Sequence, residues 1–136
     1  MKNREIKFKG KSLRNGEWIV GQYHTYGDGI FICQTALMSN NGRDWRVPAI
    51  EVEPDSVGEY TGMRDKNNKD IYEGDICECE TEAENFGYLK LKGIMQWWQD
   101  EARFSIKFAS EIDFENRKVK SVEIVGNVFD NSELNG

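Results

Sequence analysis

"YTGMRDKNNKDIYEGDI", residues 60–76, decides how this chain is read. It crowds four acids (Asp65, Asp70, Glu73, Asp75), two amides (Asn67, Asn68) and three bases (Arg64, Lys66, Lys69) into one short polar stretch between apolar residues. Such a run is either a reaction or metal loop, or a tight turn between two strands. A calcium loop of the EF-hand type needs oxygen ligands at positions 1, 3 and 5, glycine at 6 and glutamate at 12. Counted from Asp65, position 3 is Asn67, but positions 5, 6 and 12 are Lys69, Asp70 and Ile76, and Lys69 would repel the ion. The calcium reading fails. A catalytic pair among Asp65, Asp70, Glu73 and Asp75 needs convergence that spacing alone does not supply. Acids beside turns more often accept backbone N–H groups, and Asp75, after Gly74, is placed to do so. Residues 60–76 therefore read as a hairpin and turn joining two halves of the chain.

Outward from this stretch, turn signals recur. Asn15-Gly16, Asp28-Gly29 and Asn41-Gly42 stand 13 residues apart, and each dipeptide tolerates the positive φ of a tight hairpin turn. Between them lie "EIKFKGKSL", "EWIVGQYHT", "IFICQTALM" and "DWRVPAIEV". Ile6 and Phe8 alternate with Lys7 and Lys9, and Trp18 and Val20 share a face opposite Ile19 and Tyr23. "IFIC" is apolar on both sides and is expected to be the most buried strand. Pro54 ends this pattern, which gives an N-terminal β-meander region over 1–54 and a second region over 55–136, packed as one compact unit. In the second region "ICECE", "YLKLKGIMQWW", "RFSIKF" and "KSVEIVGNVF" offer about five short strands between 71 and 129. The expected fold is mainly β: an N-terminal antiparallel meander joined to a C-terminal SH3-like small barrel. "DNSEL" is expected to start a closing helical turn capped by Asp130 or Asn131.

Composition narrows the function. The chain has 136 residues, a formal net charge of −6 and 38% hydrophobic residues. Its longest apolar runs fall far below the ~20 residues that span a bilayer, and "MKNREIKFKGK" has no apolar stretch behind it. A cytoplasmic, membrane-free protein is expected. The negative charge disfavours general nucleic-acid binding. The charge is uneven, however: residues 76–87 hold Glu78, Glu80, Glu82 and Glu84 with no base, and 88–108 hold Lys90, Lys92, Arg103 and Lys107 against Asp100 and Glu101. Cys33, Cys77 and Cys79 with the lone His24 are a nominal Cys3His zinc set. A C-x-C pair on a straight strand chelates poorly, so the cysteines read as small buried hydrophobes and no metal or cofactor is implied.

The binding candidates are aromatic. Trp97 and Trp98 are adjacent, so on one strand they face opposite ways and one meets solvent, a partner or a ligand. With Tyr88, Lys90 and Lys92 they form the candidate binding set, because aromatics flanked by bases can stack on single-stranded bases. The absence of G-x-S-x-G, P-loop and H-E-x-x-H motifs speaks against an enzyme. The alternatives are a homo-oligomeric structural protein, since small β proteins with free edges pair readily, and a metal-dependent hydrolase built on the turn carboxylates.

Several stretches together resemble the YopX family of phage- and prophage-encoded proteins. They are "REIKFKGK", the Trp18 and Gly21 of "W…G", "VGEYTGMRDKNNKDIYEGDI" and "VEIVGNVFDNSEL". The resemblance implies a mostly β fold with an SH3-type C-terminal part, a phage origin and a bacterial cytoplasm. It implies no activity and supplies no functional residues. The expected function is thus a non-enzymatic binding module whose partner is an unidentified host or phage protein.

Overall fold

The computed structural model describes residues 5–34, 49–83, 87–99, 102–108 and 119–131. It is mainly β, with antiparallel pairing throughout the registers given below and two sheets. The chain divides into two compact units, Met1–Tyr60 and Thr61–Gly136.

The first unit holds β1 (Phe8–Lys11), β2 (Trp18–Tyr26), β3 (Gly29–Cys33), β4 (Ala49–Val52) and the start of β5 (Gly58–Arg64). Their order is β4-β3-β2-β1-β5. Register fixes the faces, because side chains alternate along each strand. Gly10 lies opposite Ile19, Tyr23 opposite Ile32, and Ile32 opposite Ile50. Ile19, Ile32 and Val52 thus share one face and form the core, with Phe8, Ile30, Ile50 and Val57 packed against them. Pro54 opens a 3-10 turn, Pro54–Ser56, and the buried Ser56 ties it to β1: its Oγ accepts Lys11 N–H at 2.8 Å and donates to Glu53 C=O at 2.6 Å.

The second unit begins within β5. Beyond it come β6 (Asp70–Tyr72), β7 (Asp75–Ala83), β8 (Gly87–Trp98), β9 (Arg103–Phe108) and β10 (Val119–Asn127). The last four form a sheet of order β10-β7-β8-β9. Its core face carries Cys77, Cys79, Met95 and Ile106, and β6 adds Ile71 to the same cluster. Leu91, Phe104, Val122 and Ile124 complete it.

Several expectations change. Among the described residues the second sheet is open and does not close into a barrel, with β9 and β10 as its outer strands. "YLKLKGIMQWW" lies within one unbroken 12-residue strand, Gly87–Trp98, since its register continues through Gly93 from β7 to β9 partners. The β2–β3 turn is Gly27–Asp28, not Asp28-Gly29: Gly27 takes φ +59°, which leaves Gly29 as the first residue of β3. β3 is not the most buried strand. Only Ile32 in it is fully covered, because its second face, with Phe31 and Cys33, is half open, whereas β7 buries Asp75, Ile76, Cys77, Cys79 and Thr81. After β10, Asn127 Oδ1 accepts Asp130 N–H at 2.8 Å and Asn131 Oδ1 accepts Asn127 N–H at 3.2 Å, while the helical turn expected over "DNSEL" lies mostly outside the described residues. The Asn41-Gly42 turn, residues 84–86, residues 109–118 and those after 131 lie outside the described residues.

Candidate interaction site

Residues 60–76 fold as β5, a turn, β6 and a second turn into β7. At the first turn Asp65 N–H donates to Lys69 C=O at 2.8 Å and Asn68 N–H to Asp65 C=O at 2.9 Å, with Asn68 at φ +64°. Asn is among the residues that tolerate this left-handed conformation. Thr61 Oγ1 donates to Ile71 C=O at 2.7 Å, lacing the two strands. At the second turn Gly74 takes φ +93°, a conformation that penalises any side chain. There Gly74 N–H meets Met95 C=O at 2.8 Å, and Val128 N–H meets Gly74 C=O at 2.9 Å.

The four acids of this stretch do different work. Asp65 is buried, and one of its oxygens accepts Asn67 and Lys69 N–H, each at 2.9 Å. The other accepts Ile124 N–H on β10 at 3.0 Å. Burial is the largest influence on this carboxyl and opposes its charge. The N–H groups of Ile124, Lys69 and Asn67, with the Lys69 ammonium, outweigh it and hold the carboxyl below its ordinary range. Asp75, also buried, accepts Tyr72 N–H at 2.7 Å, the backbone role foreseen for it. Asp70 pairs with Arg64 Nε at 3.1 Å. Glu73 faces a cleft described below. Among the described residues no three His, Cys, Asp or Glu side chains are grouped as a metal ion requires.

Cys77 and Cys79 are fully buried on the core face, and His24 is exposed on β2 opposite Phe31. Burial, with help from the Glu78 charge, pushes the Cys79 thiol up to about 11. It is a neutral packing group near pH 7.

The structure separates the aromatic and basic candidates. Within β8, odd-numbered residues from Leu91 to Trp97 point to the core face, while Tyr88, Lys90 and Lys92 point to the other. Nine residues of strand, roughly 30 Å, separate Tyr88 from Trp97. Lys92 lies opposite Glu78 and Lys90 opposite Glu80, and Lys90 Nζ reaches Glu78 Oε1 at 3.9 Å. These acids on β7 reduce the positive field of both lysines. Tyr88 is exposed on this same charged face. The side chain of Trp98 lies outside the described residues.

Trp97 stands apart from this face. It is 42% exposed, stands edge-on to Phe104 with ring centroids 5.0 Å apart, and donates its Nε1–H to Gln99 Oε1 at 3.0 Å. It borders an open cleft of about 410 Å³ lined by Glu73, Gly74, Ile94, Met95, Gln96 and Val128 as well. The cleft therefore joins the end of the 60–76 segment to the apolar end of β8. Its lining mixes the apolar Ile94, Met95, Trp97 and Val128 with the Glu73 carboxylate and the Gln96 amide, which suits a side chain with an apolar body and a polar neighbour.

Sequence reasoning missed one cluster. In the first unit Lys7 Nζ lies 4.7 Å from the Tyr60 ring centroid, and Lys9 and Lys11 lie 4.8 and 5.8 Å from that of Trp18. The alternation of "KFKGK" signals a row of lysines on one face; their aromatic neighbours depend on the β1–β2 and β1–β5 registers.

This is a mainly β protein of two antiparallel sheets whose turn acids are engaged in backbone bonds, an ion pair and a cleft wall. The family model described as YopX protein matches residues 7–134, nearly the whole chain. The chain belongs to the YopX family. No curated protein matches it. No helix among the described residues is long and apolar enough to cross a membrane.

Proposed function

We propose that this YopX-family protein is a non-enzymatic interaction module that receives an apolar side chain of a partner protein in the cleft beside Trp97. The half-exposed Trp97 carries this reading. A tryptophan left 42% exposed at the end of a core face, beside Ile94, Met95 and Val128, has the chemistry of an interface anchor. The engagement of Asp65, Asp70 and Asp75 by turn and strand groups supports a structural role for residues 60–76 over hydrolysis. Family membership supports a phage-type protein, and we place its partner among host or phage proteins in the bacterial cytoplasm.

The test is affinity capture by the tagged protein from phage-bearing host cells, with and without nuclease. A protein partner that survives nuclease and is lost with Trp97→Ala, but kept with Lys90→Ala, is the expected result. Recovery of nucleic acid alone, or a partner indifferent to Trp97→Ala, overturns the reading.

A further inference from the structure

An outer strand presents unpaired N–H and C=O groups to any chain able to add a strand. Among the described residues β10 is an outer strand of its sheet, with β7 on its inner side. Two of its backbone groups are nonetheless taken from outside the sheet. Val122 C=O accepts Lys66 N–H at 2.8 Å, and Ile124 N–H donates to Asp65 Oδ2 at 3.0 Å. Lys66 Nζ adds an ion pair with the intervening Glu123 at 3.0 Å. Two consecutive residues of the β5–β6 turn thus occupy the place of a neighbouring strand without being one.

We propose that the Asp65–Lys66 turn is a removable cap on β10, and that β10, once uncapped, pairs antiparallel with β10 of a second copy of this chain. The geometry selects that occupant. An antiparallel pair exchanges N–H···O=C bonds between directly opposite residues. Self-pairing centred on Glu123 sets Val122 opposite Ile124 of the second copy, so the freed Val122 C=O and Ile124 N–H satisfy each other twice about a two-fold axis. Such an interface is closed and isologous. It also brings Glu123 opposite its own copy, and like charges directly opposite each other destabilise a strand pair. The chain is guarded against this pairing by the turn and again by the charge.

The test uses sedimentation equilibrium of the full chain over a wide concentration range, with circular dichroism confirming the β fold of each variant. In Asp65→Asn the side-chain oxygen still accepts Asn67 and Lys69 N–H, while the new amide NH2 confronts Ile124 N–H. Lys66→Pro removes the donor to Val122 C=O and leaves the Asp65 carboxylate in place, so it probes the edge independently if Asp65→Asn fails to fold. Either folded variant is expected to gain a concentration-dependent dimer beyond the wild-type mass. Adding Glu123→Gln should tighten that dimer by about two- to fivefold. Folded variants that sediment as the wild type does at every concentration overturn the proposal. A dimer indifferent to Glu123→Gln also overturns it, because pairing then lies elsewhere.

Discussion

The Asp65 carboxylate accepts the backbone N–H of Ile124 at 3.0 Å, across 59 residues of chain. One acid of the 60–76 stretch thereby holds its own turn and fastens that turn to β10. Burial of the Ile71 side chain in the second unit's core completes the attachment.

The Asp65 clamp gives stability a direction with pH. Its folded carboxyl titrates below the ordinary 3.8, so the folded state favours the charged form. The stabilisation is present above that ordinary value and is lost as pH falls through the folded value. Chemical denaturation of the wild type and Asp65→Ala should therefore differ by about 2–3 kcal/mol at neutral pH. The gap should narrow as the solution is acidified below pH 3.8. A gap that widens on acidification contradicts the clamp.

Ile71 is 2% exposed in the core of the second unit, whereas Met63 on the same hairpin is 42% exposed. Ile71→Ala should cost about 2–4 kcal/mol through lost burial and the cavity left behind. Met63→Ala should stay within about 0.5 kcal/mol. Urea unfolding of the two variants checks this contrast, and equal losses would mean that the hairpin is not anchored through Ile71.

Trp97 and the β8 lysines should separate in their effects. Lys90→Ala and Lys92→Ala remove exposed side chains facing acids, and surface ion pairs of this kind contribute about 0–1 kcal/mol. Trp97→Ala removes an edge-to-face ring pair worth about 0.5–1.5 kcal/mol beyond area burial. Thermal unfolding should lower the midpoint most for Trp97→Ala. Partner capture should respond to that variant alone.

The three cysteines should react in a fixed order. Cys77 and Cys79 are buried and the Cys79 thiol is pushed up to about 11, while Cys33 is half-buried. An aromatic disulfide reagent at neutral pH should modify Cys33 first and reach the other two only at the rate of sheet opening. Rapid modification of Cys77 or Cys79 in the native protein contradicts the packing of β7.

What was legible in the sequence was local. Gly74 beside acids marked the second turn, and Asp75 was placed to accept a backbone N–H, as it does from Tyr72. The alternation of Trp18 and Val20 against Ile19 and Tyr23 was legible because period two needs no partner strand. Asp65 was legible only as a turn residue. Its bond to Ile124 depends on where β10 returns beside β7, which no local pattern encodes. The grouping of Tyr88, Lys90 and Lys92 with Trp97 broke on strand parity, because β8 runs through Gly93 without a break and its even- and odd-numbered residues face opposite ways. The acids facing those lysines come from the β7–β8 register, a property of the pair and not of either strand.

The most direct test of a structural role for residues 60–76 is amide hydrogen exchange at Ile124, compared between wild type and Asp65→Asn at a concentration where both are monomeric. Slow exchange in the wild type and marked acceleration in Asp65→Asn, with Asn67 and Lys69 less affected, is the expected result. Equally fast exchange of Ile124 in both proteins would contradict it, and the acids of this segment would then be available for other chemistry.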